Sequence, residues 1–376
     1  MDLKLTEEEK LIQQTAAQFV QKELLARENA YLKQAELFLP PGDPARRDLD
    51  RETRRTLTKL AQEAGLWALD IGDNDEQSGT STLAKALIHR EFGRSILPFQ
   101  PACIPSLMSR SPYAKPLGEG TLSLALAFDQ IHKTGTLRSI EIRFRETADG
   151  YNLSNSEIEV DPSADLYLLP AREEGSERAG LFLIERSSSG ISIGESEDLT
   201  TDSTVARLTL NYCKLRREQL LGYEYDVAAL IAAEQLRIAA RCLGIATRCI
   251  SDSIEHARNR VTFGRPLASR QAIQWMLADL SLSLQSSTWL TLAAAWRADH
   301  ELPFFRAAAL AKRKAASTAF QAADTAIQIH GGYGVAKEFP FEGFYREARM
   351  LRLLYGREAE IDRVIGERFI QEGSRQ

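Results

Sequence analysis

The sequence predicts an α+β protein in three parts: a helical domain at 1–120, a small β domain at 121–222 and a helical bundle at 223–376. Three observations predict this order. Apolar residues recur at helical spacing in the first third of the chain, and short segments with β-branched or alternating residues fill the middle third. In the last third, long segments rich in Ala, Leu and Ile contain almost no helix-breaking residues.

Within the first part, the apolar spacing predicts three amphipathic helices, at 6–30, 51–69 and 80–95. The first helix begins with Thr6 and Glu9, the pair expected of a capping box. A segment rich in Pro, Gly and Asp at 31–50 separates the first two helices and is predicted to be a loop.

The middle part predicts a series of short strands separated by turn signals, at 121–128, 138–147, 166–173, 179–187 and 206–215. The last part predicts four long helices, at 226–262, 270–298, 303–330 and 340–370. Four long helices in succession favour an antiparallel bundle.

Composition and charge exclude several classes of protein. The net charge is −5 with no block of like charge, which argues against a dedicated nucleic-acid-binding protein. The four cysteines form no CxxC pair and show no zinc spacing, so we expect reduced thiols and no metal site. The N-terminus resembles neither a signal nor a transit peptide, and no apolar run is long enough to span a membrane. We therefore expect a cytoplasmic protein without a membrane span.

A glycine cluster lies in "IQIHGGYGVAKEFP" (327–340), at the end of a predicted helix. Inside a helix, Gly331, Gly332 and Gly334 would each cost about 1 kcal/mol, so the helix is expected to stop there. The backbone of a glycine-rich turn can approach and bind a phosphate group. A plain helix cap followed by a turn is the alternative interpretation.

A second turn that could bind phosphate is predicted in "RNRVTFGRPLASRQAIQWMLADL" (258–280). Arg260 and a Phe-Gly pair precede a helix that opens through Gln271. The guanidinium of Arg260 could bind an anion with two parallel hydrogen bonds. Taken alone, Arg260 could equally be the solvated end of a helix.

Together, these two motifs resemble those of the acyl-CoA dehydrogenase family. The order of helical, β and helical parts, the chain length and the segment "AGLWALDIGDNDEQSGTSTLAKALIHREFGRS" agree with this resemblance, which covers nearly the whole chain. It implies an N-terminal helical domain, a central β-barrel-like domain and a C-terminal four-helix bundle. It also implies that FAD binds between the β domain and the bundle.

The resemblance implies specific cofactor contacts, several of them across a dimer interface. The cofactor-binding residues that it implies are Arg260, Phe263, Gln271, Gln328, Gly331 and Gly332. The family's pattern further implies an acyl-CoA substrate and an electron-transfer flavoprotein as electron acceptor. A homotetramer or an α2β2 heterotetramer is expected, because members of the family share the cofactor between subunits.

The family desaturates acyl thioesters: a carboxylate removes the α-proton, and a hydride passes to the flavin. Most members carry this Glu where the present sequence has Gly356, and Glu358 is a nearby substitute. In a branch resembling isovaleryl- and long-chain acyl-CoA dehydrogenases, the Glu lies on an early helix of the bundle. The segment "EQLRIAARCLG" (234–244) aligns with that branch without a gap. The resemblance therefore implies Glu234 as the catalytic base.

One departure from the family leaves alternatives open. The usual T-E-P-x-A-G-S-D element is replaced by "LALAFDQIHKTGTLRS" (124–139), in which Thr134 and Thr136 are the candidates for its hydroxyl contacts. The chain is predicted to be an active dehydrogenase or else a non-catalytic, half-site subunit of a heteromeric enzyme. A flavin oxidase, a carrier-protein-linked desaturase and a structural scaffold of the same fold are further alternatives.

Overall fold

The computed structural model describes residues 5–34, 49–70, 80–102, 104–128, 137–199 and 204–373. The chain forms two compact units, and each draws on separate stretches of sequence. The first unit contains the described residues up to Leu66, together with Ser81–Gln100 and Gln235–Arg352. The second contains the described parts of Trp67–Thr80, Pro101–Glu234 and Leu353–Gln376. The three-domain division predicted from the sequence stays a prediction.

Ten helices are found in the described residues, and a π-helical turn at Val20–Leu25 joins the first two. They are α1 (Glu7–Phe19), α2 (Ala26–Gln34), α3 (Arg51–Glu63), α4 (Thr82–Phe92), α5 (Ala114–Gly118), α6 (Glu224–Asn259), α7 (Gln271–Asp299), α8 (Phe305–His330), α9 (Phe341–Leu351) and α10 (Glu358–Gly373).

In the first unit, consecutive pairs of helices pack against each other: α1 on α4, α4 on α7, α7 on α8 and α8 on α9. Small side chains make this packing close. Alanines fill the buried face of α8, at positions 308, 311, 315, 316, 319, 322, 323 and 326. Between α4 and α6, a Cβ on Gly93 would lie 2.4 Å from the carbonyl oxygen of Arg241. The end of α4 therefore meets the backbone of α6 directly.

Two arginines of α6 hold the C-terminal end of α4. The Arg241 guanidinium donates to the carbonyl oxygens of Phe92 at 2.7 Å and Ser95 at 3.1 Å. It also forms a two-point ion pair with Glu347 of α9, with both N–O distances 2.8 Å. Two helical turns further along, Arg248 donates to the carbonyl oxygen of Arg94 at 3.1 Å and pairs with the buried Glu28 of α2 at 3.0 Å. These contacts satisfy carbonyl groups that a helix end leaves without partners.

The second unit contains the β structure. The strands are β1 (Leu124–Leu126), β2 (Arg143–Thr147), β3 (Gly150–Leu153), β4 (Ser156–Val160), β5 (Leu166–Glu173), β6 (Ala179–Glu185), β7 (Ile191–Asp198), β8 (Thr204–Leu210), β9 (Lys214–Leu215) and β10 (Leu220–Tyr223). One sheet has the order β10-β6-β5-β2-β3-β9, with β1 parallel to β5, and a second sheet has the order β4-β8-β7.

Apolar side chains from both sheets form one core. Phe144, Tyr151 and Phe182 pack edge to face, with ring centroids 5.0 to 5.8 Å apart. Leu208 and Leu210 of the three-stranded sheet belong to the same buried cluster. The alternating patterns of the middle third thus supply the two inner faces of this core. The expected α+β fold with a helical bundle and a β domain is confirmed.

Two sequence predictions of elements are wrong. The helix predicted at 340–370 is interrupted between Leu351 and Glu358. Tyr355 and Gly356 there have φ angles of 49° and 111°, which no α-helix accommodates. Likewise, the strand predicted at 206–215 is split by a turn at Tyr212, where φ is 47°. The predicted capping box of Thr6 and Glu9 is confirmed, with N–O distances of 2.7 and 3.1 Å.

The sequence also predicts that the chain has no membrane span and no metal site. No helix in the described part of the chain is long and apolar enough to cross a membrane. The same residues hold no cluster of three His, Cys, Asp or Glu side chains that could bind a metal ion. Cys213, Cys242 and Cys249 are buried free thiols. Cys103, Thr134 and Thr136 lie outside the described residues.

Candidate cofactor and active site

The turn after α8 contains three glycines, and the structure accounts for each of them differently. Gly331 ends the helix with a φ of +61°, a conformation that favours glycine. A Cβ on Gly334 would lie 2.4 Å from the carbonyl oxygen of Ile327, so close packing excludes a side chain there. At Gly332, a Cβ would meet nothing within 4 Å, and the φ angle lies outside the left-handed range. The fold therefore explains Gly331 and Gly334 but not Gly332.

A short hairpin follows α6, made of β11 (Val261–Thr262) and β12 (Arg265–Pro266). Its two central residues, Phe263 and Gly264, have φ angles of 50° and 75°, as in a type I′ turn. For a bulky residue such as Phe263 this conformation is strained. Yet its side chain is 98% exposed and receives little compensation from packing within the chain. Such an exposed, strained aromatic residue fits a contact with a molecule outside the chain.

Positive charge is concentrated around this hairpin. Residues 258–270 include four arginines and no acidic residue. Arg258, Arg260 and Arg265 are exposed, and within the described residues none of them forms an ion pair. Arg270 donates to the carbonyl oxygen of Thr262 at 2.7 Å, and its guanidinium carbon lies 5.8 Å from the centroid of the Phe263 ring. The hairpin is thus cationic, and Arg270 braces it.

The glycine turn and the cationic hairpin are neighbours. His256, one turn before Arg260 on α6, has its ring centroid 4.3 Å from that of His330, the last residue of α8. The backbone N–H of Arg260 donates to the carbonyl oxygen of His256 at 2.8 Å. The structure therefore brings together two motifs that are about 70 residues apart in the sequence. Gln271 begins α7 shortly after the hairpin, and the exposed Gln328 lies two residues before the end of α8.

These features fit a ligand that carries phosphate groups. Both α6 and α8 present their C-terminal, partially negative ends here, which alone would repel an anion. The arginines of the hairpin outweigh that effect, and Gly332 leaves the backbone accessible to a ligand. A dinucleotide approaching from outside the chain would meet cationic, aromatic and bare backbone groups in one place.

Glu234 lies on α6 in the second unit and is almost completely buried, with 2% of its surface exposed. Three apolar neighbours along the helix, Ala232, Leu236 and Ile238, are each exposed by 2% or less, and the adjacent Gln235 is also buried. Carboxylates are rarely buried to this extent. Glu234 is well suited to general-base chemistry from which water is excluded.

The segment between α9 and α10 lacks a carboxylate that could replace it. The backbone of Gly356 has a φ of +111°, a conformation that residues with side chains rarely adopt. Tyr355 is buried, and its ring packs on that of Phe128 at a centroid distance of 6.0 Å. Glu358 lies in the first turn of α10, where negative charge stabilises the helix. The helix position gives Glu358 an ordinary structural role.

Comparisons with known proteins identify relatives of the chain. The family described as "Acyl-CoA dehydrogenase, C-terminal domain" matches residues 222–370. An acryloyl-CoA reductase (NADH) of Anaerotignum propionicum is 26% identical, over 97% of this chain and 95% of its own length. A mitochondrial short-chain specific acyl-CoA dehydrogenase of mouse is 27% identical, over 96% of this chain and 90% of its own length.

Solved structures show the same fold along the chain. Butyryl-CoA dehydrogenase from Megasphaera elsdenii superposes with a TM-score of 0.81 and 22% identity, covering 98% of this chain and all of the other. Residues 222–370, the region that the family model covers, belong to the acyl-CoA dehydrogenase family. Members of this family are oxidoreductases, and the match supports FAD as the cofactor.

Two residues that the sequence did not single out, His256 and Arg270, now stand beside the family's motifs. His256 and His330 join the two turns, and Arg270 braces the hairpin through Thr262 and Phe263. For Arg270 a signal was present, because the arginine-rich run from 258 ends on it. The pairing of His256 with His330 had no sequence signal, since it depends on how two helix ends meet.

Proposed function

We propose that the chain is an FAD-dependent acyl-CoA dehydrogenase in which Glu234 removes the α-proton of an acyl thioester. The two full-length relatives are named as a dehydrogenase and a reductase of acyl-CoA, which are opposite directions of one reaction at a C–C bond. The observation that carries the proposal is the burial of Glu234 on α6, together with a glycine in left-handed conformation at 356. Glu234 is a buried carboxylate, whereas position 356 cannot hold a side chain without backbone strain.

The chain's own groups have distinct tasks in this reaction. Glu234 accepts the α-proton, and its apolar neighbours exclude the water that would compete for it. FAD supplies the acceptor for the hydride that leaves the β-carbon. Proton removal and hydride loss together form the α,β double bond, so the substrate loses two hydrogens.

The cofactor-binding role is proposed for Arg260, Phe263, Gln271, Gln328, Gly331 and Gly332. In this proposal the hairpin and the glycine turn hold FAD of a neighbouring subunit, as the resemblance implies. Support comes from the exposure of Phe263, the unpaired charge of the hairpin and the open space at Gly332. The proposed setting is a cytoplasmic tetramer, homomeric or α2β2, that acts on acyl-CoA and passes electrons to an electron-transfer flavoprotein.

Substitution Glu234→Gln tests the proposed base. The amide keeps the size of the carboxylate but cannot accept the proton, so FAD content should persist while bleaching of the flavin by acyl-CoA disappears. A loss in rate of at least about a hundredfold is expected for a missing general base. Visible spectra of the purified protein before and after a panel of acyl-CoAs give both readouts.

Glu255→Gln is the matched control, because Glu255 lies exposed on the same helix. It should retain both FAD and bleaching. Turnover by the Glu234→Gln variant at the rate of the unchanged protein would remove Glu234 as the base and leave the fold assignment intact.

The second candidate function is a half-site subunit that needs a partner chain to complete catalysis. The glycine at 356, where most family members carry the catalytic Glu, is the observation that favours it. Flavin content of the chain purified alone separates the two candidates. Flavin that bleaches supports the active enzyme. A chain without flavin that acquires it on co-expression with an adjacent homologous gene supports the half-site subunit.

A further inference from the structure

Five aromatic rings connect the two turns of the candidate cofactor site. The His330 ring lies between those of His256 and Phe341, with centroid distances of 4.3 and 4.2 Å. Phe341 stacks on Phe339 at an angle of 8°, and Phe339 contacts Tyr333 within the glycine turn. The row therefore starts on α6 beside the cationic hairpin and ends within the turn at 331–335.

The orientation of the His330 ring is fixed. Its Nδ1 lies 2.7 Å from the carbonyl oxygen of Ala326. A carbonyl oxygen only accepts, so Nδ1 carries the hydrogen and Nε2 carries the lone pair in the neutral ring. His330 is also buried, with 7% of its surface exposed. It can thus hold His256 at one face and Phe341 at the other without rotating.

We propose that the facing imidazoles of His256 and His330 are positioning residues that hold the hairpin and the glycine turn in register, and that protonation of this pair weakens binding of FAD. The inference rests on the proposed function, since it assumes that both turns contact the cofactor. Two neutral rings at this distance attract by stacking, whereas two imidazolium rings would repel.

Burial favours the neutral state of both rings, whereas the charged groups around the pair act in both directions. Burial, the facing His330 and the positive charge of Arg260 lower the pKa of His256. Burial also lowers the pKa of His330, against opposing contributions from the Ala326 carbonyl and Asp252. Phe341, from α9, adds no charge. The pair is therefore neutral above the ordinary histidine range and takes up a proton only in more acidic solution.

Three variants separate positioning from a general effect on stability. His256→Phe keeps a flat ring against His330 but removes the proton, and His256→Ala removes the ring. His300→Phe is the matched control, because His300 also stacks at a helix end, 4.1 Å from Trp296, but on the exposed end of α7. None of these substitutions touches Glu234.

Two measurements are made on each variant at pH 7.5, 6.5 and 5.5. The first is the dissociation constant of FAD. It should rise in the unchanged protein by at most about a hundredfold per pH unit, because the two linked protons of the pair set that limit. His256→Phe should bind FAD with the same affinity at all three values, and His256→Ala should bind weakly at all three. The second is amide hydrogen exchange at 256–266 and 328–340 without added FAD, corrected for intrinsic rates.

Protection of both segments should decrease together as the pH falls in the unchanged protein and in His300→Phe, but not in His256→Phe. The inference is overturned if protection and affinity do not change with pH, or if His256→Phe responds as the unchanged protein does. A chain that binds no FAD at any pH refutes the proposed function instead. In that case the exchange data alone decide whether the ring pair holds the two turns.

Discussion

Gly332 differs from Gly331 in backbone conformation and from Gly334 in what surrounds its α-carbon. The other two glycines are required by the backbone conformation and by Ile327, whereas a methyl group on Gly332 would project into open space. Gly332→Ala should therefore leave the free energy of unfolding within about 0.5 kcal/mol of the unchanged value. If the backbone here meets FAD, the same methyl group should weaken binding at least about tenfold, or about 1.4 kcal/mol.

Chemical denaturation without cofactor and titration with FAD measure these two effects. Gly334→Ala is the contrasting variant, since its added carbon would overlap the Ile327 carbonyl oxygen and should destabilise the fold itself. A Gly332→Ala variant with unchanged FAD affinity would show that this turn does not approach the cofactor.

This distinction between the glycines marks how far the sequence could predict the site. The glycine cluster and Arg260 were visible as candidates because three glycines interrupt a helical pattern and the arginine precedes a Phe-Gly pair. Which glycine serves the backbone and which leaves room for a ligand depends on Ile327 and on the φ angle of Gly331. Both are properties of the folded chain, in which α8 ends and the following turn packs against it.

At the scale of elements, Arg241 joins α4, α6 and α9 through one guanidinium. Arg241→Met would leave two carbonyl oxygens and the Glu347 carboxylate without their donor. Loss of one partner of such a buried pair costs on the order of 3 kcal/mol. We expect a clear decrease in the denaturation midpoint of the first unit, measured by urea titration.

Arg363→Met is the control for this substitution, because Arg363 forms comparable ion pairs with Glu360 and Glu367 on the exposed surface of α10. Exposed pairs contribute little, so this variant should unfold as the unchanged protein does. Adding Glu347→Gln to Arg241→Met should restore part of the lost stability, since it removes the uncompensated charge. Equal effects of Arg241→Met and Arg363→Met would contradict the role given to Arg241.

Helices were predicted correctly where the apolar spacing continues without a break. They were predicted wrongly where the backbone conformation of one or two residues interrupts the helix. The long helices α6 and α8 were predicted within a few residues because their apolar spacing continues for many turns. The break before α10 was missed because a helical apolar pattern continues on both sides of Tyr355 and Gly356. The π-helical turn at Val20–Leu25 was also missed, because one extra residue in a turn leaves no compositional signal.

At the scale of the whole molecule, one helix face has no partner among the residues that the structure describes. On α7, Trp275, Leu282 and Trp289 are exposed by 62%, 70% and 56%, and their seven-residue spacing places them on one side. An oligomer that shares the cofactor between subunits would bury such a stripe. Light scattering should therefore give a mass that is a multiple of the 42.0 kDa chain.

Trp275→Glu combined with Trp289→Glu should lower that mass and release FAD together, because the proposed site needs a second subunit. Leu11→Glu is the control, since Leu11 is similarly exposed, at 63%, but lies on α1. An unchanged mass in the double variant would show that α7 faces solvent in the assembly.

Acid sensitivity of the folded state follows from a histidine that no cofactor contact explains. His89 of α4 is buried, and burial together with the charges of Arg237, Lys85 and Arg241 lowers its pKa to about 3. Unfolded, the same ring titrates near 6.5, so between about pH 6.5 and 3 the unfolded chain holds a proton that the folded chain does not. The stability that the neutral His89 contributes is therefore fully present above about pH 6.5 and decreases as the pH falls.

The decrease from one such group is at most about 1.4 kcal/mol per pH unit. His89→Leu should show a shallower decline of the free energy of unfolding between pH 6.5 and 4.5 than the unchanged protein, whatever its stability at pH 7.5. His300→Leu, at an exposed position, should keep the original slope. The test uses the pH dependence of the free energy of unfolding and not its value at one pH. Repacking around the new leucine shifts the free energy of unfolding equally at every pH, because it does not change the number of protons bound. Parallel curves for His89→Leu and the unchanged protein would mean that His89 is already protonated in the fold, and that a charged ring is stabilised there despite Arg237 and Lys85.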